Sequence, residues 1–87
     1  MIRSVSIIGA GTMGGGIALT TIKAGLQTCV IDLSPEALAR LDQRLDRHFA
    51  REIEKGRMDE GQMRAARNCL TVSGDLAAVA GSDLVIE

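Results

Sequence analysis

The feature that most constrains this fold is a glycine-rich turn with the sequence GAGTMG at residues 9–14. The turn follows a short, β-branched apolar segment at residues 5–8, which is typical of a buried strand. Residues 12–24 carry apolar side chains at helical spacing and end at Gly25, which predicts a helix. A second strand is predicted at residues 28–31. The order strand, glycine turn, helix and strand predicts a βαβ unit.

The residues of this turn suit a site that binds the phosphates of a dinucleotide. Gly9 permits the tight turn, Gly11 lets a pyrophosphate approach the backbone, and Gly14 lets the helix pack closely on the first strand. The N–H groups near Thr12 and Met13 open the helix and face an anion in the favourable direction of its dipole. The alternative is a glycine turn with a purely structural role.

Asp32 stands at the end of the second predicted strand, at the spacing of about 20 residues that dinucleotide-binding motifs use. Its carboxylate can accept hydrogen bonds from the hydroxyls of the adenosine ribose and would repel a 2′-phosphate. No arginine directly follows Asp32, so the sequence predicts NAD rather than NADP. Taken alone, Asp32 could also be a helix cap or a turn residue.

A long helix is predicted from Ser34 to about Lys55, with Pro35 at its first position and Gly56 after its end. Its apolar stripe contains Leu38, Leu41, Leu45, Phe49 and Ile53. Its basic stripe contains Arg40, Arg44, Arg47, Arg51 and Lys55. The helix therefore presents one packed side and one basic side.

The rest of the chain predicts a shorter helix, two strands and a helical turn. Asp59 and Gln62 form a capping pattern for a helix through Arg67, and residues 70–72 form a third strand. A short helix from Asp75 to Gly81 precedes a fourth strand at residues 84–86. Strands alternating with helices predict an α/β, Rossmann-type parallel sheet of about four strands, with a long helical segment between strands 2 and 3.

Composition narrows the classes of partner and compartment. The net charge of −1 gives no field that would gather nucleic acid or anionic lipid, and no apolar run is long enough for a membrane span. We therefore expect no nucleic-acid or membrane partner. Cys29 and Cys69 match no metal-ligand spacing, so no metal site and a reducing cytoplasm are expected. Both cysteines are predicted to be small buried hydrophobic residues.

Four stretches of the chain together resemble the L-3-hydroxyacyl-CoA dehydrogenase family, in particular its short bacterial branch that acts on 3-hydroxybutyryl-CoA. They are IGAGTMG at residues 8–14, GIA at 16–18, ID at 31–32 and SDLVIE at 82–87. The resemblance runs through the whole chain in order and includes the long helical segment. It implies that residues 1–87 are the amino-terminal part of an NAD-binding Rossmann domain. Because Met1 lies just before the first predicted strand, we expect a stand-alone enzyme rather than the carboxyl half of a fused one.

The resemblance also implies a reaction and a set of contacts. Such enzymes interconvert an L-3-hydroxyacyl-CoA and a 3-oxoacyl-CoA by hydride transfer with NAD, and the full-length protein is expected to be a homodimer. The residues implied to hold NAD are Gly9, Gly11, Thr12, Met13, Gly14 and Asp32. Arg51 and Lys55 occupy the places of basic residues that contact the CoA nucleotide. We expect a solvated basic surface for Arg40, Arg44 and Arg47.

The family's catalytic groups lie outside this chain. Its catalytic histidine, the glutamate partner, the substrate-orienting serine and asparagine, and its carboxyl-terminal helical domain follow the fourth strand. His48 matches no catalytic histidine and is expected to be a partly exposed surface residue. Glu87 is a weak candidate near the cofactor. The chain alone is therefore expected to show no turnover.

Two other functions remain open from the sequence. The first is another NAD-dependent dehydrogenase, of the β-hydroxyacid or gulonate type, that shares the initial βαβ unit. The second is a non-catalytic module that senses a nucleotide. A substrate panel that compares CoA esters with free hydroxyacids separates the first from an acyl-CoA enzyme, and the sequence that follows residue 87 tests the second.

Overall fold

The first two strands and the helix between them form the βαβ unit that the glycine turn predicts. The computed structural model describes residues 2–79 and 81–87. Strand β1 spans Ser4–Ile8, helix α1 spans Thr12–Lys23, and strand β2 spans Gln27–Ile31. The two strands pair in parallel, with Ile8 beside Ile31. The turn after β1 and the carboxylate after β2 therefore meet at the same edge of the sheet.

Helices α2 and α3 follow their predicted capping signals closely. Helix α2 spans Pro35–Glu54, and the hydroxyl oxygen of Ser34 accepts a hydrogen bond from the Ala37 N–H at 3.1 Å. Helix α3 spans Glu60–Asn68 and begins with a reciprocal capping box between Asp59 and Gln62. The chain turns between the two helices at Gly56, where φ is +72°.

The four strands form one parallel sheet. Strand β3 spans Leu70–Ser73, strand β4 spans Leu84–Ile86, and the order across the sheet is β3-β2-β1-β4. This confirms the predicted α/β, Rossmann-type sheet with helices α2 and α3 between the second and third strands. The predicted short helix after Asp75 is a single 3-10 turn, Leu76–Val79. Ala80, which falls within the predicted range, lies outside the described residues.

The core lies on the face of the sheet covered by α1, with α2 and α3 adding side chains to it. Its largest fully buried side chains include Ile7, Ile22, Val30 and Leu45, and Phe49 packs beside them. Both cysteines are half-buried, so their predicted burial is only partly correct. Among the described residues, no helix has the length and apolar character needed to cross a membrane.

Candidate nucleotide-binding site

The glycine turn has the close backbone packing that its sequence predicts. Gly9 adopts a φ of +109°, which favours glycine, and its N–H donates to the Ile31 carbonyl oxygen at 2.7 Å. A Cβ on Gly14 would collide with the carbonyl oxygen of Gly9. By contrast, a Cβ on Gly11 would meet no atom within 4 Å from the rest of the described chain, its two sequence neighbours aside. Gly14 is thus required by packing, whereas Gly11 leaves open space beside the backbone.

The start of α1 is electrostatically prepared for an anion. Gly11 is the residue that precedes the helix, and no side chain caps the first turn. No acidic residue lies in that turn either, so the positive end of the helix dipole is not offset locally. The uncapped N–H groups and the empty space beside Gly11 together fit a pyrophosphate. Thr12 and Met13 are exposed at this helix start.

Asp32 is held in place by two backbone N–H groups. Its Oδ2 accepts from the Ala10 N–H at 2.9 Å, and its Oδ1 accepts from the Ser34 N–H at 2.9 Å. These hydrogen bonds, that from Ala10 first, hold the pKa of the Asp32 carboxyl below its usual value, with a smaller contribution from the charge of Arg40. Asp32 is therefore an anion, and each oxygen keeps lone pairs for a ribose hydroxyl.

Two cavities lie on either side of Gly9 along the carboxyl edge of the sheet. The first, of about 250 Å³, is mostly apolar and is lined by Ile8, Gly9, Ile31, Asp32, Leu33 and Leu76. The second, of about 340 Å³, runs from the start of α1 toward the end of β4, where it reaches Ile86 and Glu87. Open parallel sheets bind ligands at this edge. The cavities provide an apolar pocket beside Asp32 and a second chamber beyond the turn.

Arg44 lies against the glycine turn. The sequence did not predict this contact. Its Nη1 donates to the carbonyl oxygen of Thr12 at 2.7 Å. A Cβ on Gly15 would lie 2.8 Å from that nitrogen, so the missing side chain makes room for the guanidinium. The expectation of a solvated surface is wrong for the half-buried Arg44, while Arg40 and Arg47 are exposed as expected. The signal in the sequence that points to this contact is the Gly15-Gly16 pair, which leaves room for the guanidinium.

Comparison with known proteins identifies the family to which this glycine turn and carboxylate belong. Residues 4–87 match the family described as "3-hydroxyacyl-CoA dehydrogenase, NAD binding domain". The chain belongs to this family. The cofactor of the domain is NAD, which agrees with the choice that Asp32 predicts.

Two curated relatives of the 3-hydroxyacyl-CoA dehydrogenase family align with nearly the whole chain. "Probable 3-hydroxybutyryl-CoA dehydrogenase" of Bacillus subtilis is 36% identical over 86 residues, which cover 99% of this chain and 30% of the relative. "3-hydroxyadipyl-CoA dehydrogenase" of Escherichia coli is 33% identical, with 99% of this chain and 18% of the relative covered. The chain therefore spans less than a third of the length of either relative.

Solved structures show the same fold. (S)-3-Hydroxybutyryl-CoA dehydrogenase from Ralstonia eutropha superposes with a TM-score of 0.93 at 30% identity, covering 98% of this chain and 30% of that one. 3-Hydroxybutyryl-CoA dehydrogenase from Escherichia coli gives a TM-score of 0.92 at 30% identity, covering 98% of this chain and 18% of that one. The likeness includes the long helical segment, because it covers nearly the whole chain.

The remaining predicted site residues of this family member lie apart from the glycine turn. Arg51 and Lys55 are exposed, and Lys55 is 11 residues beyond Arg44, about 16 Å along the helix. Their contact with CoA stays a prediction. His48 is half-buried, as expected, with its Nε2 at 3.3 Å from the Nζ of Lys23. Within residues 2–79 and 81–87, no group of three His, Cys, Asp or Glu side chains could hold a metal.

Proposed function

We propose that this chain is the NAD-holding part of an enzyme that interconverts L-3-hydroxyacyl-CoA and 3-oxoacyl-CoA. The observation that carries the proposal is the uncapped start of α1 beside the fixed carboxylate of Asp32. Both curated relatives are named as dehydrogenases of 3-hydroxyacyl-CoA esters, which supports an acyl-CoA substrate. When bound, NAD supplies the acceptor for the hydride.

We propose that each part of NAD binds a different feature at the carboxyl edge of the sheet. Gly9 and Gly14 shape the turn, Gly11 leaves room for the pyrophosphate, and the N–H groups of Thr12 and Met13 bind it. Asp32 accepts hydrogen bonds from the hydroxyls of the adenosine ribose. The apolar pocket beside Asp32 receives the adenine, between the exposed side chains of Leu33 and Leu76. The nicotinamide then lies in the second chamber, toward β4.

The rest of the proposal concerns the whole protein. We propose that a histidine beyond β4, held by a glutamate, removes the hydroxyl proton, and that the active protein is a homodimer. Arg51 and Lys55 are proposed to contact phosphates of CoA, because Arg51 is an exposed cation in the last turn of α2 and Lys55 is an exposed cation directly after it. A cytoplasmic location is proposed because the two cysteines are free.

Binding and turnover measured on the same protein test this function. Calorimetry is expected to show NAD binding that is about tenfold tighter or more than NADP binding, because Asp32 repels a 2′-phosphate. The full-length protein is expected to form NADH with 3-hydroxyacyl-CoA esters and not with free hydroxyacids. Turnover only with free hydroxyacids would favour the other dehydrogenase class. NAD binding without turnover on any substrate would favour a sensing module.

A further inference from the structure

A third cavity lies behind the glycine turn and is lined by arginines. This arginine cleft, of about 360 Å³, is lined by Ala10, Gly11, Thr12, Arg40, Leu41, Arg44 and Arg47. The three arginines come from successive turns of α2, and the other walls are apolar side chains and the turn itself. Among the residues that the structure describes, no carboxylate lines the cleft. It is therefore a strongly cationic space next to the cofactor site.

The arginines of the cleft are available to an anion. In the described part of the chain, the ion pairs at 4 Å or less involve Lys23, His48, Arg57 and Arg67, and none involves a cleft arginine. Arg44 uses Nη1 to hold the Thr12 carbonyl, and its other N–H groups have no hydrogen-bond acceptor within residues 2–79 and 81–87. A guanidinium presents a planar fork of donors that matches a phosphate.

The cleft adjoins the ribose side of the proposed cofactor site. Ala10 lines the cleft, and its N–H donates to the Asp32 carboxylate at 2.9 Å. Asp32 in turn lines the apolar pocket on the other side of the turn. The positive charge of Arg40 also acts on Asp32 and helps to lower the pKa of its carboxyl. A group attached to the ribose 2′-oxygen would thus lie between Asp32 and the cleft.

We propose that the arginine cleft is a preformed receptor for a ribose 2′-phosphate, and that the carboxylate of Asp32 is what keeps the site selective for NAD. The proposal rests on the NAD site described above and deepens it. In dinucleotide-binding folds a carboxylate selects the free 2′-hydroxyl, and a nearby arginine accommodates the 2′-phosphate. This chain holds both elements, because α2 begins three residues after Asp32 and brings three arginines to the cleft beside the turn.

Calorimetric titration of the purified protein with NAD and with NADP tests the proposal. In Asp32→Asn, we expect the affinity for NADP itself to rise by about tenfold or more, since a charge-assisted pair replaces a repulsion. Adding Arg40→Gln to that variant should remove the gain. Adding Arg64→Gln should not, because Arg64 is an exposed arginine of α3 outside the cleft. Arg44 is left intact since its loss would also release Thr12.

The outcomes test the 2′-phosphate receptor independently of the proposed NAD-binding function. Wild-type protein that binds NAD, together with an Asp32→Asn variant that gains no NADP affinity, overturns the receptor and leaves the NAD site standing. A gain that survives Arg40→Gln also overturns it. If Asp32→Asn fails to fold, Arg40→Gln in the native background is the second test. It should weaken NADP binding severalfold and NAD binding much less, because NAD carries no 2′-phosphate, and equal effects on both cofactors would contradict the proposal.

Discussion

Two carboxylates in this molecule are stabilised as anions by different means. At the carboxyl edge of the sheet, Asp32 is held by the backbone N–H groups of Ala10 and Ser34. Glu52, near the end of α2, has the pKa of its carboxyl lowered mainly by a hydrogen bond from Arg57. The Nζ of Lys23 lies 3.5 Å from Glu52 Oε1, and the Nε2 of His48 lies 3.9 Å from it. We call these four residues, Lys23, His48, Glu52 and Arg57, the Glu52 cluster.

The two ways of stabilising a carboxylate suit different roles. Asp32 suits recognition of a ligand, and Glu52 suits the joining of helices. Backbone N–H groups are fixed by the fold, so the two hydrogen bonds hold Asp32 in position without a pairing side chain. The Glu52 cluster is built from long side chains of α1, α2 and the loop after α2, which lose conformational freedom when they pair. We therefore expect changes around Asp32 to alter cofactor binding, and changes around Glu52 to alter stability.

Gly14→Ala should have the largest effect on stability and NAD binding, because it disrupts the backbone packing that shapes the turn beside Asp32. The added Cβ would collide with the Gly9 carbonyl, which cannot move without disturbing the hydrogen bond from Gly9 to Ile31. We expect a loss of about 3 kcal/mol in the free energy of unfolding, measured in urea, together with loss of NAD binding.

Gly11→Ala is the matched control for that change. Its Cβ meets no protein atom, and Gly11 already has an extended backbone conformation, so stability should stay within about 1 kcal/mol of the wild type. NAD binding should nevertheless fall, since the methyl group occupies space needed by the pyrophosphate. Equal destabilisation by the two substitutions would mean that Gly11 is packed as closely as Gly14.

Asp32→Asn and Glu52→Gln should have opposite patterns of effect. Asp32→Asn removes the charge that orders the ribose hydroxyls, so NAD affinity should fall by about tenfold or more, measured by calorimetry. Glu52→Gln should leave NAD affinity unchanged and lower the midpoint of thermal unfolding by a few degrees, because Lys23 and Arg57 lose their common partner. A large loss of NAD affinity in Glu52→Gln would mean that the two regions are coupled.

The order of elements and the turn could be predicted because their signals are local. A β-branched strand, three spaced glycines and an acidic residue after the next strand specify the βαβ unit within one stretch of chain. Caps at Ser34 and Asp59 likewise fixed helix starts to within a residue. The 3-10 turn before Gly81 was predicted as a helix because the capping signal of Asp75 does not determine how many turns follow.

The position of Arg44 could not be predicted because it depends on tertiary packing. The basic stripe of α2 is equally spaced along the helix, and spacing alone does not distinguish an arginine that meets the turn from one that faces solvent. The difference arises where α2 crosses α1, next to Gly15 and Gly16, which leave room for one guanidinium. The hydrogen bond from Arg44 to Thr12 is the consequence of that crossing.

The smallest expected effect is a pH dependence of stability that originates in the Glu52 cluster. Burial and then the charge of Lys23 lower the pKa of His48 below its usual value, against the opposing charge of Glu52, with Arg51 and Arg57 adding to the decrease. Because the folded state binds this proton less readily than the unfolded state, the contribution is complete above the unfolded pKa of about 6.5 and is lost as the pH falls through that value toward the folded pKa.

Urea unfolding between about pH 5 and pH 7.5 measures this contribution, in the range where an unperturbed histidine titrates. The chain has one histidine, so His48→Gln removes the only imidazole that changes charge there. We expect the free energy of unfolding of the wild type to rise slightly with pH across the window, and that of His48→Gln to rise less. A wild-type stability that instead falls with pH would mean that the attraction of Glu52 for the protonated ring outweighs burial and the neighbouring cations. The Glu52 cluster would then favour the charged form of His48, and Glu52→Gln would be expected to reverse the slope.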